Sequence, residues 1–217
     1  MSVQFSPDGH LAVCGDKTQI WEIEQSQPGD QTGGLQARLL KSQRGGFSLV
    51  FSPDNRHLAF YNDGLYLWDS DAEAPPKRVA PDTKSSVQCA TFTPDGRQLL
   101  TLNRSREVVT LDVATGNQVS AFRTSEAKNA QAFDYMICLS PDGSKLALSS
   151  ESERGVDIWD TKTGTRLYSL PDETGTVYWL AWAADSRRLA IARDNGKVAL
   201  WDLNIVGQIL ARLGLNP

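Results

Sequence analysis

Short apolar runs alternate with polar turn clusters along this whole chain, and the alternation predicts its elements before any residue is counted. Residues 47–51 and 58–61 are apolar runs separated by Ser52-Pro53-Asp54-Asn55, and a tight Asn62-Asp63-Gly64 turn leads into Leu65-Tyr66-Leu67-Trp68. Ser-Pro-Asp suits a type I turn, because Pro presets φ at the second position and Ser and Asp side chains hydrogen-bond nearby backbone. Asp194-Asn195-Gly196 is a tight turn of the same kind as Asn62-Asp63-Gly64, and Thr115-Gly116 and Thr163-Gly164 mark one further hairpin, into 118–122 and Arg166–Leu170. Each unit therefore reads as a four-stranded antiparallel meander. Third strands such as Val156-Asp157-Ile158-Trp159 and Val198-Ala199-Leu200-Trp201 carry apolar residues on both faces near their ends. That predicts sheets covered on both sides.

The meander repeats. FSPDGHLAV at 5 recurs as FSPDNRHLAF at 51, FTPDGRQLL at 92, LSPDGSKLAL at 139 and, more weakly, WAADSRRLAI at 182. The spacings of 46, 41, 47 and 43 residues are those of four-stranded propeller blades. A second landmark follows each phrase after 16 to 20 residues: Trp21-Glu22, Trp68-Asp69, Leu111-Asp112, Trp159-Asp160 and Trp201-Asp202.

These residues resemble the WD40 repeat over residues 1 to about 204. The resemblance implies an all-β fold, a WD40-like β-propeller of five four-stranded blades with the last incomplete, at 1–45, 46–84, 85–130, 131–174 and 175–204. The signature positions are Trp21, Trp68, Asp69, Asp112, Trp159, Asp160, Trp201 and Asp202. One hallmark of the family is missing from every unit. Arg44-Gly45-Gly46, Asp82-Thr83-Lys84 and Asp172-Glu173-Thr174 stand where a Gly-His dipeptide is expected, so the buried His/Asp/Ser/Trp network of many WD40 blades cannot form in full. The divergence resembles that of bacterial WD40 proteins.

After Trp201-Asp202 the periodicity changes. Apolar residues at 205, 206, 209, 210 and 213 have helical spacing, with Asn204 as N-cap, Gly214 as the residue after the C-cap and Leu215 folding back on Leu210. A short amphipathic helix or tail over 205–217 is expected, docked on the last blade in place of its fourth strand. Five units are fewer than most rings of this family contain, which leaves a closed small ring, an open arc or the C-terminal part of a longer propeller. The last is preferred, because no spare strand is visible to seal a ring.

Composition adds exclusions. With 217 residues, 22 Lys+Arg against 26 Asp+Glu and a net charge of −4, the chain offers no basic face for nucleic acid or anionic lipid. No apolar run approaches a membrane span, so no membrane insertion is expected. The widely spaced Cys14, Cys89 and Cys138 read as buried thiols in a reducing, cytoplasmic compartment. His10 and His57 stand where other repeats have Gln98, Lys145 and Arg188, which argues for exposed positions. No nucleophile elbow, phosphate loop or metal-ligand spacing is present, so no catalytic, cofactor-binding or metal residue is assigned. The resemblance implies a non-catalytic scaffold that binds partner proteins or neighbouring domains. The expected docking surface is the rim of second-to-third-strand turns, with Asp63, Arg104, Arg106, Glu153, Arg154 and Asp194. The alternative is a C-terminal sensor or regulatory part of a larger enzyme such as a bacterial Ser/Thr kinase, since the tail also resembles those of such proteins.

Overall fold

The computed structural model describes residues 2–25, 35–44, 46, 48–61, 64–69, 74–79, 87–124, 136–149 and 154–214. They form five separate antiparallel sheets, each in chain order. Blade 1 holds β1 (Ser2–Phe5), β2 (Leu11–Cys14), β3 (Lys17–Gln25) and β4 (Leu35–Arg44). Blade 2 holds β5 (Ser48–Phe51), β6 (His57–Tyr61), β7 (Leu65–Asp69) and β8 (Lys77–Val79). Blade 3 holds β9 (Val87–Phe92), β10 (Gln98–Asn103), β11 (Glu107–Asp112) and β12 (Gln118–Arg123). Blade 4 holds β13 (Ile137–Leu139), β14 (Lys145–Ser149), β15 (Val156–Asp160) and β16 (Arg166–Leu170). Blade 5 has three strands, β17 (Val177–Trp182), β18 (Arg188–Arg193) and β19 (Val198–Asp202), and the helix α1 (Leu203–Arg212) follows where a fourth strand would begin.

The Ser/Thr-Pro-Asp phrase makes the first turn of blades 1 to 4 through one repeated set of bonds, and Ala183-Ala184-Asp185-Ser186 keeps only the backbone bond of that set in blade 5. The fourth turn residue donates its N–H to the first residue's carbonyl, as in Gly96 to Thr93 at 2.9 Å and Gly143 to Ser140 at 2.8 Å. The first residue's hydroxyl donates to the Asp carboxylate and accepts the N–H that opens the second strand, as in Ser140 Oγ to Asp142 at 2.6 Å and Lys145 N to Ser140 Oγ at 2.9 Å. This closure drives the fourth residue to positive φ, which is why Gly recurs there. Asn55 and Ser186 adopt the same conformation at φ 64° and 56°.

Successive blades pack face to face. Ala12, Cys14 and Ile20 of blade 1 meet Leu49, Phe51, Leu58, Phe60 and Trp68 of blade 2 in one buried cluster. Equivalent clusters join blades 2 and 3, 3 and 4, and 4 and 5. The first strands β1, β5, β9, β13 and β17 are sequential neighbours. Lysines on two fourth strands clip onto the next blade, with Lys41 Nζ donating to Asp69 O at 3.1 Å and Lys77 Nζ to Thr115 O at 3.0 Å.

The helix departs from expectation in two ways. Its N-cap is Asp202, whose Oδ1 accepts from Asn204 N at 3.0 Å and Ile205 N at 3.2 Å, so α1 begins before Asn204. The carboxylate is the better cap because it meets the orphan first-turn donors with a full negative charge at the positive end of the helix. Docking uses Leu203 and Val206, which join the core between blades 4 and 5, while Ile205, Ile209 and Leu213 are exposed. Gly214 follows the C-cap at φ 72°, in the left-handed region expected of that residue. The predicted Leu215 contact lies outside the described residues.

Candidate functional site

In blades 2, 4 and 5 the Trp of the landmark pair lies on the face turned to the preceding blade. Trp68 is buried against blade 1 beside Phe60, and Trp159 stacks on Phe122 of blade 3 with ring centroids 5.6 Å apart. Leu111 takes the same place in blade 3, inside the core shared with blade 2. The indole N–H of Trp159 is buried with no hydrogen-bond acceptor among the described residues, in keeping with the missing Gly-His network. The Asp of the pair has a separate task. Asp112 Oδ1 accepts from Thr115 N and Oγ1, both at 2.8 Å, and Asp160 Oδ1 accepts from Thr163 N at 2.7 Å and Lys162 N at 3.0 Å. The same carboxylate that closes a hairpin in blades 3 and 4 caps the helix in blade 5. Its role was not read from the sequence, although the recurring Asp-x-x-Thr-Gly spacing in blades 3 and 4 carries the signal.

The edge that bears the first turns is a row of carboxylates held ionised by local donors. Backbone donors and Thr or Arg side chains hold Asp112, Asp160 and Asp185 below the usual carboxylate range. For Asp142 slight burial acts upward, but donation from Ser140 and Ser144 together with the Lys145 charge prevails and holds it at about 2. Between blades 1 and 2 this edge opens into a cleft of about 360 Å³ lined by Asp8, His10, Lys41, Phe51, Asp54 and Arg56 among others. His10 Nδ1 lies 2.9 Å from Asp8 Oδ1. Both histidines differ from their expected exposure and are half-buried, and His57 Nδ1 is enclosed and unbonded among the described residues. Among the described residues no three His, Cys, Asp or Glu side chains group as metal ligands.

The opposite rim carries the second-to-third-strand turns. Arg104, Arg154 and Asp194 are exposed there, whereas Asp63 and Glu153 lie outside the described residues. Arg106 was expected at the surface and is buried instead. It takes φ 57°, at the position that Gly196 fills in blade 5 with φ 77°. That left-handed turn sends its side chain under the rim, where Nη2 donates to Ser149 O of blade 4 at 3.0 Å. From the other side Arg193, also buried, donates Nη1 to Arg154 O at 2.6 Å and Gly175 O at 3.0 Å, with Glu173 3.4 Å from its Nε. The two guanidinium groups thus hold both ends of blade 4's turn, one from each neighbouring blade. Asp194 accepts from Thr176 N at 3.0 Å and ties the same rim in blade 5. Among the described residues the rim is thus tied from beneath at Ser149, Arg154 and Gly175, with the Arg104, Arg154 and Asp194 side chains at its surface.

None of the three cysteines is in a disulfide. Cys14 is buried against Thr18, and Cys89 and Cys138 are half-buried. Burial pushes the Cys89 thiol up to about 12 and raises that of Cys138, which leaves both as poor nucleophiles.

Comparison with known proteins agrees with this architecture. Residues 164–202 match the family model described as WD domain, G-beta repeat, a stretch running from the last strand of blade 4 through the third strand of blade 5. The chain is 30% identical over 222 residues to WD repeat-containing protein 1 of Rattus norvegicus, covering 77% of this chain and 34% of that protein. It is 31% identical over 153 residues to telomerase protein component 1 of Rattus norvegicus, covering 69% of this chain and 6% of that protein. It is also 22% identical over 143 residues to a guanine nucleotide-binding protein subunit beta of Oryza sativa subsp. japonica, covering 65% and 38%. The chain spans about a third of the length of the WD repeat-containing protein 1 sequences that it matches.

Proposed function

This chain belongs to the WD40-repeat family, and on that premise we propose that it is a non-catalytic scaffold that docks partner proteins on its rim of second-to-third-strand turns. The observation that carries the reading is the pair of buried arginines beneath that rim. Arg106 and Arg193 immobilise the backbone around Ser149 and Arg154, so charged side chains stand on a surface that loses little entropy on binding. The turn carboxylates cap turns, and Trp68, Trp159 and Trp201 pack between blades. No helix among the described residues is long and apolar enough to cross a membrane. A cytoplasmic setting and a bacterial-type origin are parts of this proposal that rest on sequence alone.

The test compares the parent chain with the double variant Arg104→Glu/Arg154→Glu as immobilised bait in a lysate of the source cell, with bound proteins identified by mass spectrometry. A specific partner retained by the parent and lost from the folded variant is the expected result. Identical sets of bound proteins on both baits would refute the rim as the docking surface.

A further inference from the structure

The first turns of consecutive blades stand side by side, and the residue at their fourth position decides how closely they meet. A Cβ on Gly96 would lie 3.3 Å from Asp54 Cγ of blade 2, and one on Gly143 would lie 3.2 Å from Pro94 Cδ of blade 3. Ser186 of blade 5 makes a bond instead, its Oγ accepting from Asp142 N at 3.0 Å. Blade 2 has Asn55 at this position, with the same left-handed backbone. A side chain of that size does not fit so close a contact, and a cleft of about 360 Å³ lies between the turns of blades 1 and 2, with Asn55 in its wall.

The lining combines three kinds of chemistry. Each blade contributes one carboxylate and one cation, Asp8 and Lys41 from blade 1, Asp54 and Arg56 from blade 2. Asp8 Oδ1 accepts from Ser6 Oγ and His10 Nδ1, and Asp54 Oδ1 accepts from Ser52 Oγ at 2.6 Å and Arg56 N at 3.1 Å. Oδ2 of each carboxylate takes no part in these turn bonds, so a bound ammonium group finds two acceptors that the turns do not need. Lys41 Nζ is fixed against blade 2 by Asp69 O at 3.1 Å and by the Trp68 ring, whose centroid is 5.8 Å away. It is a positive charge of set position, and Arg56 adds a second, exposed one. Ile20 and Phe51 supply an apolar wall that belongs to the core of the junction, and Leu40 adds a third apolar side chain.

With His10 neutral the four charges cancel, which disfavours a simple anion or cation relative to a zwitterion. The volume lies at the small end of ligand pockets. We propose that this cleft binds a free α-amino acid with an apolar side chain. Its ammonium group donates to Asp8 and Asp54, its carboxylate faces Lys41 and Arg56, and its side chain covers Ile20 and Phe51. The cleft lies on the edge opposite the second-to-third-strand rim, so amino-acid binding here and partner docking there stand or fall separately.

The experiment is an NMR titration of the isotope-labelled chain with L-leucine, N-acetyl-L-leucine and L-leucinamide, read at the His10 and Phe51 ring signals and the Ile20 methyl groups. Leucine should shift these signals saturably in the millimolar range. Each capped analogue lacks one charge and should bind at least about tenfold more weakly, as expected for the loss of a charged hydrogen bond. Asp54→Asn keeps an Oδ1 acceptor for the turn and should reduce the preference for leucine over N-acetyl-L-leucine. Arg56→Ala, at an exposed position, should reduce the preference for leucine over leucinamide. No saturable shift with leucine, equal binding of the three ligands, or a preference left unchanged in either variant would each overturn the proposal.

Discussion

Blades 4 and 5 are built from the same repeat and meet different surroundings. Val156 and Ile158 in blade 4 lie in the core shared with blade 5, while Val198 and Leu200, at the same two positions one repeat later, face solvent. The apolar pattern of a strand records which face is made for packing, but only a neighbour makes it buried. Blade 1 gives the mirror image, with Val3 and Phe5 exposed where the equivalent Leu49 and Phe51 of blade 2 are buried. The lesson is that in this architecture stability is shared at junctions between repeats.

The largest effect that would sharpen this contrast is at the landmark aromatics. Trp159→Ala, which empties the site stacked on Phe122, should cost about 3–5 kcal/mol in urea unfolding. Trp21→Ala in blade 1, where the ring is only half-buried, should cost less than half of that. Next is the clamp. Arg193→Ala leaves the carbonyls of Arg154 and Gly175 without their donor and should cost about 2–3 kcal/mol. An Arg104→Ala change on the exposed side of the same rim should fall within about 0.5 kcal/mol. Asp202→Ala removes the N-cap that distinguishes blade 5 and should cost about 1 kcal/mol, with a loss of helical circular dichroism that Asp160→Ala does not produce.

The smallest effect is one of pH. The folded pKa of Asp142, about 2, lies below the roughly 3.9 of an unfolded Asp. Its ionised form therefore stabilises the fold above about pH 4, and that stability is lost as pH falls from about 4 to 2. Ser140→Ala removes one donor to this carboxylate. Its unfolding midpoint should be lower than the parent's at neutral pH and should vary less with pH across that window.

The repeat, the meander and the turn conformations were legible in the sequence because Ser-Pro-Asp-Gly and Trp-Asp act locally, through bonds within a few residues of themselves. Arg106 was not, because its burial depends on a left-handed turn in a residue that usually avoids one and on an acceptor 43 residues away at Ser149. The helix was legible in kind, but its start was not. Asp202 had been assigned to the landmark pair, and the periodicity of 205, 206, 209, 210 and 213 gave no sign that only one side of the stripe would find a core. The clamp of Arg193 on blade 4's turn was equally hidden, since it joins groups 39 residues apart.

The most direct test of the account is the pair Ile158→Ala and Leu200→Ala, equivalent positions in consecutive blades, compared by urea unfolding. The account predicts a loss of about 2–4 kcal/mol at Ile158 and a change within about 0.5 kcal/mol at Leu200. Equal losses at the two positions would contradict it, because they would mean that both faces of blade 5 are covered within a single chain.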